Sequence, residues 1–138
     1  MDKALFDNSI DCYLLISEDN RQYFSGLRTS FGGVIISKNA KYYITDFRYE
    51  YAAKETLTDW ELRFVKFSEF YETIKSILHN LNAKTVGFED KSLTYSEAQE
   101  LKETLSGFEL VPCSDIIDTA RMVKTEEEIK LIKISQEI

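Results

Sequence analysis

Apolar and polar residues alternate along the chain in short blocks, and the length and period of each block predict an element. Asp11 to Ser17 contains Cys-Tyr-Leu-Leu-Ile, an apolar run closed by the polar cluster Ser17-Glu18-Asp19-Asn20, and reads as a buried strand. Residues 2–9 before it suit a short helix. Gly33-Val34-Ile35-Ile36-Ser37 and Lys41-Tyr42-Tyr43-Ile44-Thr45 flank Lys38-Asn39-Ala40, a spacing that predicts an antiparallel hairpin. Leu62 to Phe67 is a further strand candidate, and the Ser68 hydroxyl is placed to cap a helix. That helix carries Phe70, Ile74, Ile77, Leu78 and Leu81 on one face of a 3.6-residue period.

Thr85-Val86-Gly87-Phe88 predicts the next strand. Thr94-Tyr95-Ser96-Glu97 is a capping box opening a helix with Ala98, Leu101 and Leu105 on its buried side. Gly107 suits a left-handed stop, and Phe108 to Pro112 resumes as a strand, confined by its proline to an end or an edge. Strand and helix alternate, which implies parallel crossovers. With the hairpin, the expectation is an α/β fold: a mixed sheet of five or six strands with helices on both faces.

Near the end, Thr125-Glu126-Glu127-Glu128 forms a second capping box with acidic residues at the positive end of the helix dipole. Ile129, Leu131, Ile132, Ile134 and Ile138 spread an apolar stripe along that helix, and no Gly, Asn or Pro stops it. Two readings are open: a helix that continues onto a further surface, or one that docks on the same domain.

Composition narrows the function. A length of 138 residues, 43% hydrophobic and 30% charged, suits one globular domain with one core. The 24 acidic residues outnumber the 17 basic ones for a net charge of −7, which disfavours nucleic acid and anionic membrane as partners. No apolar run reaches membrane-spanning length and the N-terminal residues lack a signal-peptide pattern, so the cytoplasm is expected. Cys12 and Cys113 lie inside apolar runs and read as reduced, buried thiols. The lone histidine, His79, has no partner at ligand spacing, so no catalytic residue, metal ligand or nucleophile triad is expected in this chain.

Five segments, in order, resemble the N-terminal domain of the creatinase, prolidase and aminopeptidase P metallopeptidase family. They are the strand Leu14 to Ser17 with a turn and loop, Asn20-Arg21-Gln22-Tyr23-Phe24-Ser25-Gly26; Gly33 to Ile36 with Thr45-Asp46-Phe47-Arg48-Tyr49 and Ala52; Val86-Gly87-Phe88-Glu89 with Thr94-Tyr95; the acidic turn Asp115-Ile116-Ile117; and Arg121-Met122-Val123-Lys124-Thr125 to Ile129. The resemblance implies a domain over residues 1–120 and a linker helix over 121–138, leading toward a catalytic domain outside this sequence. That domain would hold two divalent ions, Mn, Co or Zn, through two Asp, one His and two Glu, and act as an Xaa-Pro dipeptidase or aminopeptidase on peptides with proline at the second position.

The implied role of this chain is non-catalytic: dimerisation within a homodimer and control of active-site access. A stand-alone peptide- or protein-binding module of the same fold is the alternative. The glycine-bounded loop from Gly26 to Gly33 resembles the segment that approaches a partner subunit's active site, which makes Arg28 and Phe31 the candidate substrate-facing or interface residues; the other reading is an ordinary surface loop with Phe31 tucked into the core. Tyr23, Gly26, Asp46, Arg48 and Tyr49 are expected as structural motif residues, with the Asp46 carboxylate capping the next turn and pairing with Arg48.

Overall fold

The structure, a computed structural model, describes residues 9–122. Six strands form one mixed sheet: β1 (Cys12–Leu15), β2 (Gly33–Ser37), β3 (Lys41–Thr45), β4 (Glu61–Phe64), β5 (Thr85–Phe88) and β6 (Glu109–Pro112), in the order β4-β3-β2-β1-β5-β6. Strand β2 is antiparallel to both neighbours and every other pairing is parallel, so five strands point one way. Their carboxyl ends share one edge of the sheet, where ligand sites in open α/β sheets collect.

Five helices cover the faces among the described residues: α1 (Glu18–Ser25), α2 (Glu50–Thr56), α3 (Phe70–Asn80), α4 (Tyr95–Thr104) and α5 (Ser114–Met122). The pleat divides the core in two. Cys12, Leu14, Ile35, Ile44, Val86 and Phe88 meet α3 through Phe70, Ile74, Ile77 and Leu78, and α4 through Leu101 and Leu105. On the other face, Tyr13, Leu15, Val34, Ile36 and Tyr43 meet Ala53 in the middle of α2, Leu57 just past its end, and Ile117 and Ala120 of α5. Burying each of these aliphatic side chains contributes about 1.5–3 kcal/mol, so the sheet is sealed from both sides. Cys12 and Cys113 are free, buried thiols in opposite halves of the core.

The predicted hairpin is β2–β3, and Pro112 closes an edge strand as its missing N–H requires. Thr94 and Glu97 form the expected capping box, with reciprocal hydrogen bonds of 3.1 Å. Gly107 takes a φ of +104° beyond α4.

Three expectations are corrected. The polar segment after β1 is not a turn and loop but helix α1. Ser17 Oγ accepts the Asn20 N–H at 3.3 Å, Glu18 and Asp19 occupy the first turn, and Gly26 ends the helix at φ 82°. Ser68 does not cap α3: strand β4 stops at Phe64, a 3-10 turn spans Phe67–Glu69, and Glu69 Oε1 accepts the Lys66 N–H at 2.9 Å. Asp115-Ile116-Ile117 is not a turn but the start of α5. There Ser114 N–H donates to Asp90 Oδ1 and Lys91 N–H donates to Ser114 Oγ, both at 3.0 Å. Helix α2, which the sequence pattern does not indicate, packs Ala53 into the core.

Helix α5 runs through position 120 without a break. The helix expected at residues 2–9, apart from Ser9, the helix expected from Thr125 onward, and the segment 123–138 lie outside the described residues. No helix among the described residues is long and apolar enough to cross a membrane.

Candidate functional site

The carboxyl edge of the sheet carries a buried polar network that joins three of the family-like segments. Glu89 comes directly after β5 and is 1% exposed. Its Oε1 accepts the Ile16 N–H and the Ser17 N–H (2.8 Å), while Oε2 accepts the Ser17 hydroxyl and the Asn20 Nδ2, each at 2.5 Å. A buried carboxylate is tolerated when its lone pairs are filled in this way. Asn20 Oδ1 in turn accepts Arg121 Nη1 at 3.0 Å, and the Arg121 guanidinium lies 4.8 Å from the centre of the Tyr23 ring. The last turn of α5 is thereby latched to α1 and, through Asn20, to the end of β5.

Arg21, 3% exposed, supports the same junction from the other side. Nη1 donates to the carbonyls of Ile16 and Gly32 (3.2 Å to the latter), and Nη2 donates to the carbonyl of Thr29. The Ile16 peptide is therefore held at its N–H by Glu89 and at its carbonyl by Arg21. This guanidinium also pins the loop 26–33 to α1. The sequence pattern does not single out Glu89, Asn20, Arg21 or Arg121 as site residues. Their only signal is a position inside the family-like segments, since 69 residues separate Asn20 from Glu89 and 101 separate Asn20 from Arg121.

The residues that the sequence does single out fall at the same edge with separate tasks. Tyr23 underlies Arg121, and Gly26 supplies the left-handed helix end. Arg28 turns back to α1, at 3.2 Å from Glu18 and 3.7 Å from Asp19, with a 2.5 Å bond to Gln22, and stays half exposed. Phe31 turns the other way, its ring 4.4 Å from Phe67 and 4.9 Å from Phe70, packed against the core beneath α3. The structure does not bring Arg28 and Phe31 together.

Asp46 Oδ1 accepts the Arg48 N–H at 2.9 Å, and both carboxylate oxygens take the Arg48 guanidinium, at 2.7 Å for the Nη2 bond. This bonding to Arg48 holds the Asp46 carboxyl below its usual range. Arg48 lies 5.4 Å from the centre of the Tyr49 ring, and the Tyr49 hydroxyl meets Ser30 Oγ at 2.8 Å. Thr45 Oγ1 donates to the Phe31 carbonyl at 2.6 Å, and Thr29 Oγ1 meets the Tyr43 hydroxyl at 2.7 Å. The loop is thus tied down at three points, two of them on β3.

Asp46 and Glu89 are engaged, burial pushes both thiols up to about 12, and His79 is exposed beside Phe108. No group of three or more His, Cys, Asp or Glu could hold a metal ion among the described residues. What the edge does offer is an open cleft of about 700 Å³ between the loop, the start of α3 and α4, with Phe31, Phe67 and Tyr71 in its wall.

The comparisons with known proteins agree with this architecture. The family model described as "Creatinase/Prolidase N-terminal domain" matches residues 1–123. The chain is 35% identical over 138 residues to an Xaa-Pro dipeptidase of Pyrococcus furiosus, covering 99% of this chain and 37% of that protein. Over 133 residues it is 35% identical to an Xaa-Pro dipeptidase of Pyrococcus horikoshii, covering 95% and 36%. Among solved structures, an X-Pro aminopeptidase from Thermotoga maritima superposes with a TM-score of 0.81 at 30% identity, covering 94% of this chain and 38% of that one. The chain spans a little over a third of the length of these relatives.

Proposed function

Because the chain belongs to the Creatinase/Prolidase N-terminal domain family, we propose that it serves as the non-catalytic N-terminal domain of an Xaa-Pro metallopeptidase, in dimerisation and in access to the active site. The full-length protein is read as a cytoplasmic homodimer acting on peptides with proline at the second position. Its two divalent ions, Mn, Co or Zn, belong to the catalytic part. The residues described here do not fit a metal pair, and no hydrolytic step is assigned to them.

The observation that carries this reading is the latch from Arg121 through Asn20 to Glu89. A guanidinium at the last turn of α5, bonded to α1 and lying over the Tyr23 ring, holds the end of α5 against α1. Such a device suits a domain whose task is to hold a neighbouring domain in a set orientation. The experiment is steady-state kinetics and sedimentation of the full-length protein carrying Arg121→Ala. A charge-assisted hydrogen bond is worth about 1.5–3 kcal/mol, so kcat/KM on an Xaa-Pro dipeptide should fall about tenfold or more, with partial recovery in Arg121→Lys. Unchanged kinetics and unchanged mass would remove the latch from this role. A peptide- or protein-binding module of the same fold is the second reading, favoured by the open cleft beside Phe31.

A further inference from the structure

The cleft at the sheet edge has a chemistry of its own. Its wall is aromatic: Phe31 contacts Phe67 and Phe70, and the Tyr71 ring lies 5.3 Å from Phe70. Phe67 is 67% exposed, so its ring is open to a ligand in the cleft. Around this wall stand four carboxylates, Glu18, Glu72, Glu97 and Glu100, against a single guanidinium, Arg21.

Those charges are not equal. Arg21 is buried and directs both Nη atoms at backbone carbonyls of the loop junction. Glu18 is paired with Arg28, and Glu97 accepts the Thr94 N–H of its capping box. Glu72 and Glu100 are exposed and form no ion pair among the described residues. The Tyr71 phenol is pushed up by burial and then by the negative charge of Glu100 and Glu97, so these carboxylates project their field onto the ring. An aromatic wall under uncompensated carboxylates attracts cations through both the ring quadrupole and direct charge.

We propose that this cleft is a docking site for a basic peptide segment. A Lys or Arg side chain lies along the rings of Phe67 and Tyr71, its charged head facing Glu72 and Glu100, and an apolar neighbour rests on Phe31. Charge complementarity selects this occupant: the rim is acidic, the one cation among its described residues is occupied, and the whole chain carries −7. An anionic ligand would meet the same carboxylates as repulsion. Docking here depends on the cleft alone and stands apart from the reading of a larger peptidase.

The test titrates the isotope-labelled 138-residue chain with the capped peptide Ac-Ala-Phe-Lys-Lys-Phe-Ala-NH2 and its twin carrying Glu in place of both Lys, monitored by amide chemical shifts. The Lys peptide should shift residues around Phe67, Tyr71 and Glu100, and the Glu twin should bind at least about tenfold more weakly. Glu72→Gln and Glu100→Gln, both at exposed positions that leave the fold intact, should each weaken the Lys peptide by about two- to fivefold. Raising NaCl from about 50 to 300 mM should weaken it further. Equal affinity for the twins, binding insensitive to both Gln variants, shifts confined to another surface, or no binding at millimolar peptide would each overturn the proposal.

Discussion

Asn20 on α1 donates its side-chain amide to Glu89 at the end of β5 at 2.5 Å, across 69 positions of sequence. The carboxylate that receives it also holds the N–H groups of Ile16 and Ser17, so one side chain satisfies the turn between β1 and α1. Replacing Glu89 by Gln puts an amide NH2 against donors and leaves buried N–H groups unpaired, at about 1–3 kcal/mol each. Glu89→Gln should lower stability by about 2–4 kcal/mol in urea denaturation, and Asn20→Ala by less. A Glu89→Gln midpoint equal to wild type would show that the network does not support the edge.

Gly87 tests the packing between the sheet and α5. A Cβ added there would meet the Tyr13 ring at 2.9 Å and Cys113 Sγ at 3.1 Å. Gly87→Ala should therefore cost about 1–3 kcal/mol through displaced core side chains. Thermal unfolding checks this, and an unchanged melting temperature would contradict the close approach.

Both thiols should be silent in the folded chain. Cys12 and Cys113 are 0% and 1% exposed, and burial pushes each up to about 12. Ellman's reagent near neutral pH should find no reactive thiol under native conditions and two after unfolding. Native reactivity of either one would place it outside the core described above.

Acid should weaken both ends of the sheet in a defined direction. Asp46 is held low by Arg48, Asp90 by the Ser114 N–H, and Asp11 by the N–H groups of Lys84 and Thr85. For a carboxyl depressed in the folded state, the stabilisation is fully present above the unfolded value, about 3.9, and is lost as pH falls through the folded one. Asp46→Asn should thus be less stable than wild type at neutral pH, with the gap closing as the solution becomes strongly acidic. Urea midpoints at the two extremes measure it, and a gap that widens in acid would reverse the assignment.

Local signals carry most of the fold, and their failures have local reasons. The hairpin, the Thr94 capping box and the edge proline are legible because each depends on residues a few positions apart. Helix α1 escapes the pattern although Ser17, Glu18, Asp19 and Gly26 are ordinary start and stop residues. Its interior is polar, since Asn20 and Arg21 are buried for their hydrogen bonds rather than as an apolar stripe. Helix α2 is short and begins at the Asp46-capped turn without a periodic face. The latch is illegible for a different reason: Asn20, Glu89 and Arg121 meet only after the sheet has brought β1, β5 and the end of α5 to one edge. The loop around Phe31 leaves two readings open in the sequence, a substrate-facing ring or a ring tucked into the core, and only the fold places this ring against Phe70.

The central claim, a domain that serves catalysis without performing it, is tested most directly by one assay. Hydrolysis of an Xaa-Pro dipeptide in the presence of Mn²⁺ is measured for the 138-residue chain and, beside it, for the full-length product of the same gene. Turnover is expected from the full-length protein and none from the chain alone. Turnover by the isolated chain, or a metal-loaded full-length protein inert toward Xaa-Pro peptides, would contradict the claim.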